Sequence, residues 1–161
     1  MARVTMLALL AASLCFAQGQ KDLDEANTPH RSAAIWKMST GELNTVVADP
    51  EAGDFEKAKA CQRLGVVGDA SSVPGVAALL SNRTLSHYAR TALETIPGPA
   101  ADTALREALA RLDGDLLVGV VNSIGRRKDP LALDALAKLR RSDDAEIRSA
   151  AEAAIGRIRS P

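Results

Sequence analysis

Side chains that can do chemistry are scarce in this chain. It holds two histidines, His30 and His87, and two cysteines, Cys15 and Cys61. A structural or catalytic zinc site needs several ligands at defined spacing. His87 has no second His or Cys at helical spacing, and His30 lies in a polar stretch. The residues therefore predict neither a metal nor a cofactor. A cysteine nucleophile needs a neighbouring base that lowers its pKa. Cys61 has Gln62 and Arg63 beside it and no histidine close in sequence, so only folding could bring His87 to it. Neither a G-x-S-x-G elbow nor a P-loop is present. No catalytic residue is predicted.

Charged side chains offer binding chemistry instead. Arg126-Arg127-Lys128 is the densest basic run, followed by Arg140-Arg141, Arg157 and Arg159. Such cations fit helix C-termini, where they complement the helix dipole. They could equally meet an anionic patch on a partner protein. Residues 115–161 carry nine basic and seven acidic side chains, and residues 18–60 carry five and eight. That asymmetry can orient a protein partner. It is too small to hold nucleic acid, where affinity grows with the number of phosphates neutralised. The candidate partner-binding set is His87, Arg90, Asp102, Arg106, Arg126, Arg127, Asp134 and Lys138. Arg90 is also spaced to pair with Glu94 one helical turn on.

The whole chain has 161 residues, with 20 Lys+Arg against 20 Asp+Glu. It is 47% apolar and 2% aromatic. The length suits one domain. The apolar share excludes a disordered chain. The charge balance excludes a general electrostatic nucleic-acid binder.

The elements that must position these groups recur along the chain. Four anchors, Leu64-Gly65, Ile96-Pro97, Ile124-Gly125 and Ile155-Gly156, are spaced 32, 28 and 31 residues apart. Such periods mark stacked helical units. Four residues before each anchor stand Ala60, Ala92, Val120 and Ala151, and eight before stand Glu56, Tyr88, Leu116 and Ile147. Positions 0, −4 and −8 share one helix face. Cys61 shares a column with Leu93 and Val121, which predicts burial. Tyr88 shares one with Leu116 and Ile147, which predicts a core role. Each anchor is followed by a helix breaker.

A second apolar stripe follows each of the first three anchors: Val73, Val76, Ala77 and Leu80; Ala101, Leu105, Ala108, Leu109 and Leu112; Leu131 or Ala132, Ala135, Leu136 and Leu139. First-type helices are expected near 54–65, 85–96, 115–125 and 144–158. Second-type helices are expected near 72–81, 100–112 and 130–141, with a further short helix at 41–48. Ser71 or Ser72, Asp102 and Asp129 are expected to cap the second-type starts. Asp143 with Glu146 has capping-box spacing for the last first-type helix.

The N-terminus reads as an export signal. Arg3 gives a positive start, residues 4–14 carry no charge, and Cys15-Phe16-Ala17 ends on a small residue. The run is too short for a transmembrane helix, which takes about 20 apolar residues. Cleavage after Ala17 leaves 144 residues that are exported to a periplasmic or secreted location, with no membrane attachment. Residues 18–53 form a polar tail and an N-terminal capping segment, in which Trp36 is expected to cover the end of the first unit. Residues 54–161 form the repeat domain. Small Ala residues at the helix crossings explain the scarcity of aromatics.

The segments Phe55–Leu64, Leu85–Arg90, Leu117–Gly125 and Ala145–Gly156 resemble helices of exported bacterial HEAT-repeat proteins, in the subgroup with repeats of about 30 residues. The resemblance implies an all-α fold: a short right-handed α-solenoid of antiparallel helix pairs, about three and a half repeats long. It implies a non-catalytic scaffold for protein–protein contact, with the second-type helices offering Asp102, Arg106, Asp134 and Lys138 to a groove. Some members of the family are lyases and others bind DNA. The rival expectation is therefore a HEAT-like lyase, or an accessory enzyme subunit whose site is shared with a partner.

Overall fold

The computed structural model describes residues 31–160. The predicted signal segment and nearly all of the polar tail, His30 included, lie outside the described residues. One folded unit begins at Ile35. Among the described residues it is all-helical, with no strand.

Helix α1 (Thr40–Ala48) opens with a capping box. The Ser39 amide donates to Glu42 Oε2 at 2.8 Å, and the Glu42 amide returns a bond to Ser39 Oγ at 3.4 Å. The Ser39 hydroxyl and amide hold the Glu42 carboxyl below its usual range. Helices α2 (Asp54–Val67), α4 (Ser86–Thr95), α6 (Gly114–Arg127) and α8 (Ala145–Arg159) fall on the first-type spans, but α2, α6 and α8 run on through Gly65, Gly125 and Gly156, which do not break them as expected. The second-type spans hold α3 (Val73–Ala78), α5 (Pro99–Ala108) and α7 (Leu133–Leu139).

Their faces are those the spacing dictates. Leu64, Ile96, Ile124 and Ile155 are all buried, as are Ala60, Ala92, Val120 and Ala151. Cys61, Leu93 and Val121 are fully buried, whereas Glu152, in the same column of α8, is exposed. At position −8, Ile147 is buried while Glu56, Tyr88 and Leu116 are partly buried. Helix α2 packs on α4, α4 on α6, and α6 on α8. Helix α3 packs on α4 and α5, α5 on α6, and α7 on α8. Two close approaches allow this. A Cβ at Gly65 would stand 3.1 Å from Thr95 Oγ1, and one at Gly125 would stand 2.8 Å from Ala154 Cα. Thr95 Oγ1 also donates to the Gly65 carbonyl at 2.7 Å.

Three expected caps are corrected. The start before α3 is capped by Asp69, not Ser71 or Ser72: Asp69 Oδ1 accepts from the Ser71 amide at 2.8 Å. That short carboxylate opens a 3-10 turn, Ala70–Ser72, where a serine two residues later comes too late. Asp129 opens the 3-10 turn Pro130–Ala132 in the same way, as expected, accepting from the Leu131 amide at 3.0 Å. Asp102 caps nothing. Helix α5 starts earlier, at Pro99, after Gly98 reverses the chain at φ 91°, a conformation that favours glycine. Asp144, rather than Asp143, caps α8, accepting from the Glu146 and Ile147 amides.

Within the N-terminal segment, Ile35 enters the core while Trp36 stays 42% exposed. The Arg63 guanidinium lies 5.4 Å from the Trp36 ring, so the indole holds a cation on its face. Helix α1 packs on α2 and α3 through buried Leu43 and Val47.

Candidate functional site

Most of the predicted binding residues join one helix to the next. Arg127 ends α6 with its side chain about 10% exposed and its guanidinium paired to Asp102. Its Nη1 donates to the carbonyls of Leu93 at 2.6 Å, Glu94 at 3.2 Å and Ile96 at 2.8 Å. Its Nη2 donates to the Gly98 carbonyl at 3.1 Å. These are the carbonyls that the end of a helix leaves without an internal partner. A planar guanidinium with five donors can take several of them while forking onto a carboxylate. Arg127 therefore acts as a C-terminal cap supplied to α4 from two helices further on.

Arg106 and Asp129 form a second tie. Arg106 Nη1 meets Asp129 Oδ2 at 2.5 Å, the carboxylate being 5% exposed and the arginine 24%. Arg106 Nη2 also donates to Thr103 Oγ1 at 2.9 Å. Glu94 forms a third. It accepts from Ser123 Oγ at 2.7 Å and pairs with Arg126 Nε at 3.2 Å. The expected Arg90–Glu94 pair is replaced by these partners on α6, because Arg90 turns instead toward the Gly119 carbonyl, at 3.3 Å. Arg126 remains 70% exposed.

The second-type helices carry two open grooves. The α3–α5 groove, about 730 Å³, is lined by Val73, Pro74, Ala77, Ala100 and Ala104, with Glu107 and Arg111 also lining it. The α5–α7 groove, about 440 Å³, is lined by Leu109, Ala110, Leu131 and Ala135. Asp134 and Lys138 reach it together with Arg106. Leu131 is 74% exposed there. Of the four residues expected at the groove, Asp134 and Lys138 are exposed, while Asp102 and Arg106 are held in ion pairs.

His87 and Arg90 come together elsewhere. They line a cavity of about 420 Å³ between α4 and α6, with Arg83 and Ser86 on one side and Asp113, Gly114, Asp115 and Leu116 on the other. Arg90 lies over Gly119: a Cβ there would stand 2.6 Å from Arg90 Nε. That Nε is buried with no hydrogen-bond partner among the described residues. Burial pulls the guanidinium below its ordinary pKa; Glu94 opposes that shift and Arg126 adds to it. His87 is exposed and stacks edge-on with Tyr88, ring centroids 5.3 Å apart.

Cys61 is fully buried, and burial pushes its thiol up to about 12. It is a core residue with almost no thiolate at neutral pH. Among the described residues no group of three or more His, Cys, Asp or Glu is placed to hold a metal ion, and no helix is long and apolar enough to cross a membrane.

Sequence reasoning missed Asp129 as an ion-pair partner, Arg83, and the bed that Gly119 makes for Arg90; of Leu131 and Ala132, offered together for the buried stripe, only Ala132 is buried. One signal was available: a glycine in mid-helix costs about 1 kcal/mol against alanine, and Gly119 is the mid-helix glycine against which the Arg90 side chain packs. No protein-family model matches the chain, and a search of curated proteins finds no match.

Proposed function

We propose that this protein is an exported helical-repeat scaffold of the HEAT type that acts by binding another protein through its α3–α5–α7 side. In this reading the helices alternate as antiparallel pairs in a short right-handed solenoid, and export rests on Arg3 and the uncharged run 4–14. The observation that carries the proposal is the division of labour among side chains. Arg127, Asp102, Arg106 and Asp129 are used to tie helices together. The two grooves keep an apolar floor with charged neighbours Glu107, Arg111, Asp134 and Lys138, and an apolar centre with a polar rim is the anatomy of a protein interface.

The test is affinity capture from an envelope extract of the cells that make the protein, run in parallel on three folded forms. The wild type is expected to retain a partner, and Leu131→Glu to lose it, because a charge in place of this exposed apolar side chain must be desolvated on binding. Arg159→Gln, at the exposed end of α8 and outside the grooves, is expected to retain it. Equal recovery by the wild type and Leu131→Glu sinks the groove assignment.

A further inference from the structure

We propose that the α4–α6 cavity, lined by Arg83, His87 and Arg90, binds a monovalent carboxylate with the Arg90 guanidinium as its anchor. The starting point is an arrangement that packing alone does not explain. A glycine in the middle of α6 lowers helix stability, yet Gly119 is what leaves room for the Arg90 guanidinium. That guanidinium is half-buried, makes one long bond from Nη1 to the Gly119 carbonyl at 3.3 Å, and keeps a buried Nε without a partner among the described residues. A methionine would fill the same space without a desolvated charge or an unmet donor. An oxyanion in the cavity offsets the charge through the guanidinium's Nη2, which is not sealed as Nε is, since a guanidinium matches a carboxylate in charge and geometry.

The rest of the lining agrees. His87 and Arg90 are three residues apart in α4 and so share a face, and Arg83 lines the same space. Across the cavity, the Asp113 side chain makes no capping bond to the first amides of α6. Asp113 and Asp115 select among oxyanions. Two carboxylates in the lining repel a doubly charged phosphate more than a singly charged carboxylate. The cavity, at about 420 Å³, has room for an acidic side chain together with its backbone.

Nitrogen-15 NMR of the full mature chain tests this, reading Arg90 Nε–H and the amides of Gly114, Asp115 and Leu116. The probes are N-acetylglycine, the capped peptide Ac-Gly-Glu-Gly-NH2 and inorganic phosphate, with sodium chloride at matched ionic strength as the control. Saturable shifts are expected with a carboxylate probe. Shifts with both carboxylate probes identify the carboxylate alone as the ligand group; shifts with the peptide alone identify a protein segment as its carrier. Arg90→Gln is expected to weaken binding about tenfold or more. If that variant unfolds, the exposed Arg83→Gln is expected to weaken it about threefold. Asp115→Asn tightens binding, and Leu131→Glu leaves it unchanged, which separates this site from the groove. Shifts no larger than those with chloride, shifts that survive the folded arginine variants, or a preference for phosphate overturn the proposal.

Discussion

Arg127, at the end of α6, forks onto Asp102 in the first turn of α5 and at the same time gathers the last carbonyls of α4. One side chain thus holds three helices that are separated by about one repeat in sequence. The arginine is nearly sealed and the carboxylate only partly open: Arg127 is 10% exposed and Asp102 24%. Removing one partner therefore leaves the other, and several carbonyls, short of partners in a poorly solvated place.

Arg127→Met should accordingly lower stability by about 3 kcal/mol, the usual result of stranding half of a buried pair. Arg127→Lys should restore less than half of that, because an ammonium cannot fork between a carboxylate and a row of carbonyls. Arg126→Ala, beside it but 70% exposed, should change stability by less than about 1 kcal/mol. Urea unfolding of the three variants gives the comparison. Equal losses at 126 and 127 would refute the clamp.

The glycines that follow the anchors should behave in opposite ways. Gly125→Ala places a Cβ 2.8 Å from Ala154 Cα, backbone that cannot move aside, so α6 and α8 must separate. A loss of about 1–3 kcal/mol is expected. Gly156→Ala occupies the same position in α8 but meets nothing within 4 Å. It should gain roughly 0.5–1 kcal/mol from helix propensity. Thermal melts of both variants decide this, and a shared sign would mean that the packing of α6 on α8 is misplaced.

These pairs show how far the sequence can be read. Spacing alone located the faces, since Ala92, Leu93 and Ile96 repeat at intervals a helix enforces, and all three are buried. It located most of the first-type and second-type helix spans for the same reason. It did not locate the caps to the residue, because Asp69 and Ser71, or Asp143 and Asp144, are equivalent until the local backbone is known. It could not show that Arg127 is buried and Arg126 exposed. Both are arginines in one basic run, and a long flexible side chain reaches groups about 30 residues away that no local pattern names. His87 and Arg90 were legible as neighbours on a helix. Arg83 and the α6 wall of their cavity arise from tertiary packing alone.

Cys61 gives a prediction with a definite sign. Its thiol is pushed from an ordinary 9.0 to about 12 by burial. Below pH 9 both the folded and the unfolded chain keep the proton, and the thiol adds no pH dependence. Between pH 9 and 12 the unfolded chain releases a proton that the folded chain retains. Stability therefore falls with rising pH in that window, by up to about 1.4 kcal/mol per pH unit from this group. Cys61→Ala should be less stable at neutral pH, because a buried sulfur leaves a void, but its stability should decline less steeply above pH 9. The two proteins share every other side chain, so the difference in slope isolates the thiol. The same burial predicts that iodoacetamide at pH 8 labels Cys61 only as fast as the structure opens. Rapid labelling of the folded protein, or parallel pH profiles for the two forms, would show that Cys61 does not lie in the packed column with Leu93 and Val121.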